Sequence, residues 1–220
     1  MRDLVLAKEY AEANIYFATM DLCQNINHKI DEAHYKRVHL DTNDLDELDR
    51  IIKELKIEMI VIDHYDINYE FEKQLKIQNP KLKILSLDDT YEKHHCDILL
   101  NHNICADEKR YKDLVPHHCE LRCGAKYTLL RDEFKKEKEI QREKIYDIFL
   151  AMGGADTAEL NIPILKTLSP DLKIALLSTN DNSALQELKE FAQNRPNITL
   201  HINSNEVAKL LNQSRFAIIT

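Results

Sequence analysis

The sequence is poor in glycine, with only 3 glycines among 220 residues against a usual share of about 7%. Glycine is the residue that adopts a positive φ without steric cost, so few tight turns of that kind are available to this chain. The scarcity disfavours a turn-rich β-sandwich or barrel and a collagen-like repeat. It also excludes a glycine-rich phosphate loop anywhere except at Gly153-Gly154.

The sequence also lacks a basic stripe and a long apolar run. Its net charge is −8, and nucleic acid is excluded as the main partner because phosphate binding needs clustered Lys and Arg. No apolar run approaches membrane-spanning length and no signal-peptide core follows the first residue, so we expect a cytoplasmic protein without a membrane segment. The odd number of cysteines indicates free thiols rather than a disulfide framework; they are Cys23, Cys96, Cys105, Cys119 and Cys123.

Alternating helix and strand patterns in the first half predict a parallel α/β sheet. We expect an opening helix over 2–13, strands over 15–20 and 37–40 separated by an irregular stretch, and a helix on Leu45, Leu48, Ile52 and Leu55. Short apolar runs at 59–62, 84–87 and 98–100 are typical of strands covered on both faces. Residues 104–144 interrupt this pattern with polar segments and a charged helix.

The pattern resumes at residue 145, which predicts a second unit. Strands are expected at 145–152, 172–177, 198–202 and 216–219, with helices at 184–193 and 206–212. Asp156 or Asn161 could cap the helix that contains Pro163, and Asn161 is favoured because proline is tolerated in a first turn. We therefore expect two domains, at residues 1–137 and 138–220.

Both ends of the chain are unusual for such an architecture, because the chain opens on a helix and closes on a strand. A βα unit normally begins with a strand, and the loop after its last strand normally contributes to the site. We expect from this that each domain is incomplete in this chain. Missing βα loops would also explain part of the glycine deficit.

Polar residues follow three of the predicted strands. Asp63, His64 and Tyr65 end the first strand, Asp88-Asp89 ends the second, and Asn101 ends the third. Because ligands bind at the carboxyl ends of parallel strands, these groups could hold a sugar and move a proton. The structural alternative is that an Asp after a strand caps the next helix.

Two further patterns allow both a functional and a structural interpretation. Gly153-Gly154, between a strand and a helix, could let backbone N–H groups approach a phosphate, or could be an ordinary tight turn. A patch rich in Cys and His could bind zinc, although neighbouring His residues in an extended chain point to opposite sides. Its members are His94, His95, Cys96, His102, Cys105, His117, His118, Cys119 and Cys123.

Five sequence strings, in order and spacing, resemble a known enzyme family. They are VIDHYDI at 61–67, LSLDD at 85–89, HCDILLN at 95–101, CGAKYTLLRDEF at 123–134 and AMGGAD at 151–156. The chain resembles the nucleotide-sugar hydrolases of pseudaminic acid biosynthesis, the PseG family. That resemblance implies an α/β fold of two Rossmann-like parallel-sheet domains in a GT-B, MurG-like arrangement.

The resemblance implies hydrolysis of UDP-2,4-diacetamido-2,4,6-trideoxy-β-L-altrose, without metal or cofactor, by water attack at the anomeric carbon. The product sugar would serve flagellin glycosylation, and the enzyme is expected to act as a monomer. Catalytic residues are expected to be Asp63, His64 and Tyr65. The substrate-binding set is Arg2, Asp88, Asp89, Asn101 and Arg131, and the nucleotide-binding set is Gly153, Gly154 and Asp156.

This sequence differs from the family pattern at its start. The family opens with a strand and a G-x-G-H-x-x-R loop whose histidine is the proposed general base, and Arg2 is the residue of that loop found here. Removing a positioned base lowers rates by about 10²–10⁴-fold, so we expect these 220 residues alone to be weakly active or inactive. His64 is then the first alternative base.

Two other functions are compatible with the sequence. A glycosyltransferase of the same two-domain fold would use a sugar hydroxyl in place of water, and fold alone does not separate the two activities. A non-catalytic interaction protein that holds zinc through the Cys/His patch belongs to a different class. Consumption of the UDP-sugar without an acceptor, and metal analysis, distinguish these alternatives from the hydrolase.

Overall fold

The structure is a computed structural model that describes residues 1–22 and 25–219 and divides into two compact units, Met1–Leu130 and Arg131–Thr220. Cys23, one of the expected free thiols, lies outside the described residues. Each unit is described by itself below. Among the described residues, no helix combines the length and apolarity that crossing a membrane requires.

The first unit places two parallel sheets among helices. Its elements are α1 (Arg2–Lys8), β1 (Tyr16–Thr19), α2 (His28–Glu32), β2 (Lys36–His39), α3 (Leu45–Leu55), β3 (Met59–Ile62), α4 (Tyr69–Gln78), β4 (Lys83–Leu87), β5 (Ile98–Asn101) and β6 (Glu120–Cys123). Strands β3, β4, β5 and β6 form one sheet in that order, and β1 pairs with β2 in the other. The parallel α/β fold predicted from the apolar runs is confirmed.

Local sequence accounts for the best-defined helix of this unit, α3. The Asp44 carboxylate accepts a hydrogen bond from the Glu47 amide at 2.9 Å and so caps the helix start. Its apolar side is buried against the sheet through Leu48, Ile51 and Ile52. The helix ends at Leu55, and the left-handed conformation of the next residue, Lys56, closes the last turn.

Three details of the first unit differ from the sequence prediction. Helix α1 ends at Lys8 rather than at residue 13, and the expected irregular stretch contains α2. The interrupted region 104–144 contains a strand, β6, which extends the sheet beside β5. Helix α2 has a single buried residue and β6 mixes charged with apolar residues, so neither produces an apolar run.

A cavity of about 510 Å³ lies in the first unit, lined by residues of α1, α3, β1 and β3. Among the described residues, β1 pairs only with β2 and β3 only with β4. The edge strands of both sheets therefore border the same apolar cavity. Val61 of β3 contributes to its lining and is 40% exposed.

The second unit is a single four-stranded parallel sheet with flanking helices. Its elements are α5 (Asp132–Lys138), β7 (Tyr146–Ala151), α6 (Asn161–Thr167), β8 (Ile174–Ser178), α7 (Leu185–Gln193), β9 (Ile198–Ile202), α8 (Val207–Asn212) and β10 (Ser214–Ile219). The strand order is β10, β7, β8, β9. Its core contains Leu150, Leu165, Ile174 and Leu176, none of which is exposed.

The boundary between the units falls after Leu130, whereas the sequence places it after residue 137. Helix α5 packs on α8, where the Asn212 side-chain amide donates to the Glu137 carbonyl at 2.9 Å and to the Ile140 carbonyl at 2.8 Å. The charged helix is thus part of the second unit. The charge pattern of α5 predicts a helix with one face in solvent, but it does not predict which unit the opposite face contacts.

Candidate active site

Arg2 joins the carboxyl ends of three neighbouring strands in the first unit. Its Nε donates to Asp63 Oδ2 at 2.8 Å, and its Nη2 donates to Asp63 Oδ1, which makes the pair bidentate. Its Nη1 donates to Asp89 Oδ2 at 3.3 Å and lies 3.4 Å from His102 Nε2. Asp63 follows β3, Asp89 follows β4 and His102 follows β5. Because α1 opens at this edge, one guanidinium contacts all three strand ends.

Tyr65 presents its side chain to solvent beside this group. It is 77% exposed, and its hydroxyl donates to Asp89, lying 3.4 Å from each carboxylate oxygen. The phenol is therefore held at its polar end and open on its ring face. We call Arg2, Asp63, Tyr65, Asp89 and His102 the strand-end cluster.

Burial and neighbouring charges shift the pKa values of two members of the strand-end cluster and of Asp3, which interacts with Asp63. Burial opposes ionisation of Asp63, but the bidentate Arg2 outweighs it and lowers the pKa of that carboxyl. Burial and the neighbouring Asp63 raise the pKa of Asp3 to about 6. Burial, followed by the charge of Arg2, lowers the pKa of His102, so its imidazole is neutral at neutral pH.

His64 lies beside the strand-end cluster with its ring exposed. Its Nδ1 accepts a hydrogen bond from the Asp66 amide at 3.2 Å, and its Nε2 lies 3.4 Å from Asn43 Nδ2. The Asp66 amide occupies the Nδ1 lone pair, and Nε2 faces the Asn43 side-chain nitrogen. The expected role of His64 as a base stays a prediction.

Asp88 and Asn101, both expected to bind substrate, point into the protein. Asp88 Oδ1 accepts from the Thr90 amide at 2.9 Å, and its Oδ2 accepts from the Tyr91 amide at 2.9 Å and from the Tyr111 hydroxyl at 2.6 Å. The Asn101 amide donates to the same Tyr111 hydroxyl at 2.9 Å. These two residues fix the loop after β4 through their hydrogen bonds, and that loop carries Asp89 of the strand-end cluster.

Asp88 is itself part of a buried ionic group with His94 and Glu72. Glu72 is fully buried on α4, where it accepts from the Ser86 hydroxyl at 2.6 Å and contacts His94 Nδ1 at 2.8 Å. His94 Nε2 lies 4.0 Å from Asp88 Oδ1, an ion-pair distance. Burial opposes protonation of His94, but the carboxylates of Asp88 and Glu72 outweigh it and raise the pKa of the imidazole to about 9.

Gly153 and Gly154 follow β7 in the second unit, and glycine suits each position for a different reason. Gly153 has a φ of 62°, in the left-handed region. A Cβ on Gly154 would lie 2.7 Å from Thr179 Cγ2, because the loop packs closely on the end of β8. The Thr179 amide donates to the Gly154 carbonyl at 3.0 Å, which fixes that approach.

Asp156 holds the start of α6. Its Oδ1 accepts from the Leu160 amide at 2.9 Å and its Oδ2 from the Asn161 amide at 3.0 Å, with the side chain buried. Pro163 falls in the first turn, as predicted, but the capping carboxylate belongs to Asp156 and not to Asn161. Both side-chain polar atoms of Asn161 are buried without a hydrogen-bond partner among the described residues. Arg131, another expected substrate ligand, belongs to this unit and pairs with Glu133 at 2.9 Å.

The Cys/His patch divides among separate roles. His94 contacts Glu72, His102 joins the strand-end cluster, and Cys96 contacts Cys119. Within residues 1–22 and 25–219, no group of three or more His, Cys, Asp or Glu side chains is placed to hold a metal ion. The position of His102 directly after β5 is the sequence signal that could place it with Asp63 and Asp89.

Comparison with known proteins defines first a fold class and then a family. MurG of Acinetobacter baumannii matches 99% of this chain and 68% of its own length with a TM-score of 0.50 at 11% identity. This likeness shows the fold, two Rossmann-like domains of the GT-B type. No family model matches the chain.

Two curated proteins are similar in sequence. The UDP-2,4-diacetamido-2,4,6-trideoxy-β-L-altropyranose hydrolase of Campylobacter jejuni is 42% identical over 219 residues, which cover 100% of this chain and 78% of that enzyme. An uncharacterised protein of Methanocaldococcus jannaschii is 28% identical over 177 residues, 76% of this chain and 36% of that protein. The chain belongs to the family of UDP-2,4-diacetamido-2,4,6-trideoxy-β-L-altropyranose hydrolases.

Proposed function

We propose that this chain hydrolyses UDP-2,4-diacetamido-2,4,6-trideoxy-β-L-altropyranose in pseudaminic acid biosynthesis. Water attacks the anomeric carbon, the bond from that carbon to the diphosphate oxygen breaks, and UDP leaves. The observation that carries the assignment is 42% identity over the whole chain to the Campylobacter hydrolase. Polar residues at the carboxyl ends of the strands in both units are consistent with it.

The strand-end cluster suits the sugar better than the diphosphate. The charge of Arg2 is already balanced by Asp63 and Asp89, so little positive charge remains for phosphate oxygens. Carboxylates and an exposed phenol can instead accept from, and donate to, the hydroxyl and acetamido groups of a sugar. We assign substrate contact to Tyr65, held by Asp89, and assign a supporting role to Asp88 and Asn101.

The loop after β7 suits the diphosphate. Gly153 and Gly154 leave the backbone without side chains at the carboxyl end of a strand, where N–H groups can approach an anion. Within the part of the chain that the structure describes, the buried amide of Asn161 and the buried hydroxyl of Thr179 have no hydrogen-bond partner, and a ligand could satisfy them. Asp156 holds this loop through its two backbone contacts.

UDP release in the absence of any acceptor tests the proposal. The purified chain is incubated with the UDP-sugar in buffer, and free UDP is measured by chromatography. We expect UDP and free sugar in equal amounts at a low rate, in line with the weak activity expected of these 220 residues alone. A Tyr65→Phe variant should be at least about tenfold slower than the native chain, a loss of about 1.4 kcal/mol in the transition state. Tyr69→Phe, on α4 against His95, is the matched control and should retain the full rate.

Two results would contradict the assignment. UDP release that requires a sugar acceptor would indicate a transferase. Absence of UDP release by the native chain, together with absence of UDP binding by calorimetry, would refute a UDP-sugar site of either kind.

The proposal includes a monomer that acts in the cytoplasm on a small molecule and not on nucleic acid. The net charge of −8 and the absence of a basic stripe disfavour nucleic acid. Free thiols at Cys96, Cys105, Cys119 and Cys123 fit a reducing compartment. Light scattering after size-exclusion chromatography measures the mass, and 25.8 kDa is the value expected for one chain.

A further inference from the structure

Cys96 and Cys119 bring their sulfur atoms within 3.6 Å of each other in the first unit. Cys96 lies just before β5 and Cys119 just before β6, and the pairing of these strands fixes both positions. Ile98 is the register partner of Glu120, whose amide donates to the Asp97 carbonyl at 2.9 Å. The two thiols are therefore held together by a sheet and not by a mobile loop.

The two thiols differ in exposure and in chemistry. Cys96 is 2% exposed and belongs to the hydrophobic core, whereas Cys119 is partly exposed at its edge. The hydrogen bond between them lowers the pKa of Cys119, which favours its thiolate, and raises that of Cys96. This is the arrangement of an attacking thiol with a resolving thiol behind it.

We propose that Cys96 and Cys119 are a modification site at which hydrogen peroxide oxidises the two thiols to an intramolecular disulfide. The Cys119 thiolate attacks one oxygen of hydrogen peroxide and the O–O bond breaks, which gives a sulfenic acid and, after protonation, water. The Cys96 sulfur then attacks the sulfenic sulfur; the S–S bond forms, the S–O bond breaks, and a second water leaves with the Cys96 proton. The two thiols lose two electrons and two protons, and the peroxide is reduced to two waters.

Geometry selects this pair over other combinations. A disulfide has an S–S distance of about 2.05 Å, so the sulfurs need to approach by about 1.5 Å, which side-chain rotation can supply. Cys105 is exposed in the segment after β5, and Cys123 ends β6 at the opposite end from Cys119. The disulfide would fasten the segment that carries His94, the partner of Glu72, to the start of β6.

Peptide mapping of the native chain tests the site directly. Combined cleavage before Asp and after Lys or Arg places each cysteine of this region on its own peptide: Cys96 on 94–96, Cys105 on 97–106, Cys119 on 113–122 and Cys123 on 123–126. The reduced chain is treated with hydrogen peroxide, remaining thiols are alkylated, and the digest is analysed by mass spectrometry without reduction. We expect peptides 94–96 and 113–122 to appear joined, with the loss of two hydrogens, and to separate on reduction.

Controls decide whether the fold directs the reaction. Cys105→Ser should leave the joined peptide unchanged, and Cys119→Ser should abolish it. The same oxidation in urea should give mixed pairings, because the unfolded chain does not hold the two sulfurs together. Three results with the native chain would overturn the proposal. They are a disulfide from Cys96 or Cys119 to Cys105 or Cys123, a disulfide between molecules, and oxidation of Cys119 to sulfinic acid without any disulfide. None of these readouts depends on hydrolase activity.

Discussion

Asp88 and Asp89 are neighbours in sequence and have opposite roles in the first unit. Side chains alternate in direction along an extended chain, so one of two successive residues points inward and the other outward. Asp88 points inward to the Tyr111 hydroxyl and the amides of its own loop, and Asp89 points outward to Arg2 and Tyr65. A substitution at Asp88 should therefore affect stability, and one at Asp89 should affect the site.

The buried pair of His94 and Glu72 predicts a loss of stability at alkaline pH. The folded protein raises the pKa of His94 from 6.5 to about 9, so protonated His94 stabilises the fold. This contribution is fully present below about pH 6.5 and is lost as the pH rises through about 9, with a magnitude of up to about 3 kcal/mol. The urea concentration at the unfolding midpoint, followed by circular dichroism, should decrease as the pH is raised from about 6.5 to about 9.

The matched variants are His94→Gln and His117→Gln. His94→Gln should be less stable at neutral pH, and its stability should depend less on pH between 6.5 and 9. The reason is that the glutamine beside Glu72 does not titrate in this range. His117 is exposed, so its replacement should keep the native pH dependence. An unchanged pH dependence in His94→Gln would mean that another group titrates.

The sequence predicts which residues follow each strand, but it does not predict which of their side chains point outward into the site. The rule that ligands bind at strand carboxyl ends groups Asp63, Tyr65 and Asp89, and these side chains do lie together, although their role as a ligand site stays a prediction. The rule does not reveal that Asp88 and Asn101 share the Tyr111 hydroxyl, because Tyr111 lies in the segment between β5 and β6, where no strand-end rule applies. His102 was overlooked as a neighbour of Arg2 because its sequence context suggested a metal ligand.

At the scale of elements, the turn after β7 depends on a close approach between two loops. A Cβ at Gly154 would meet Thr179 Cγ2 at 2.7 Å, and a β-branched side chain has little freedom to move away. Gly154→Ala should destabilise the second unit by about 1–3 kcal/mol. It should also weaken UDP binding, measured by calorimetry, since the loop would shift from the end of β8.

A second substitution separates crowding from other effects of Gly154→Ala. Thr179→Ala removes the two atoms that the new Cβ would crowd, Cγ2 at 2.7 Å and Oγ1 at 3.2 Å, and leaves the Thr179 Cβ at an ordinary contact distance of 3.5 Å. The double variant should therefore recover most of the lost stability. Pairing Gly154→Ala with Thr167→Ala, at the other end of α6, should give no recovery. If the double variant with Thr179→Ala is as unstable as Gly154→Ala alone, steric contact is not the cause.

The sheet edges beside the cavity predict binding of an apolar dye. Strands β1 and β3 leave edges on a cavity of about 510 Å³ with mostly apolar lining residues, a volume in the usual range of ligand pockets. Nile red, a neutral dye, should bind and shift its emission to the blue. Val61→Asp, at the cavity wall, should reduce this signal, whereas Phe216→Asp, on exposed β10, should not. Equal signals in both variants would place the dye elsewhere.

Elements with continuous apolar runs were predictable and short amphipathic ones were not. Strands β4 and β8 are buried on both faces, and their sequences show it directly. Strand β6 has the sequence Glu-Leu-Arg-Cys, which contains no apolar run and alternates polar with apolar residues over only four positions. Four positions are a weak local signal, and the strand also depends on the parallel edge that β5 offers it.

At the scale of the whole molecule, each unit has its own core, which predicts separable unfolding. The first unit buries Leu99 and the second buries Leu176, each with no exposed surface. Leu→Ala at such a site costs about 2–5 kcal/mol through lost burial and an unfilled cavity. Hydrogen exchange measured by mass spectrometry should therefore show faster exchange in β4 and β5 for Leu99→Ala and in β7 and β9 for Leu176→Ala. Each variant should leave the other unit's strands protected as in the native chain; accelerated exchange throughout both units in either variant would show instead that the chain unfolds as one cooperative body.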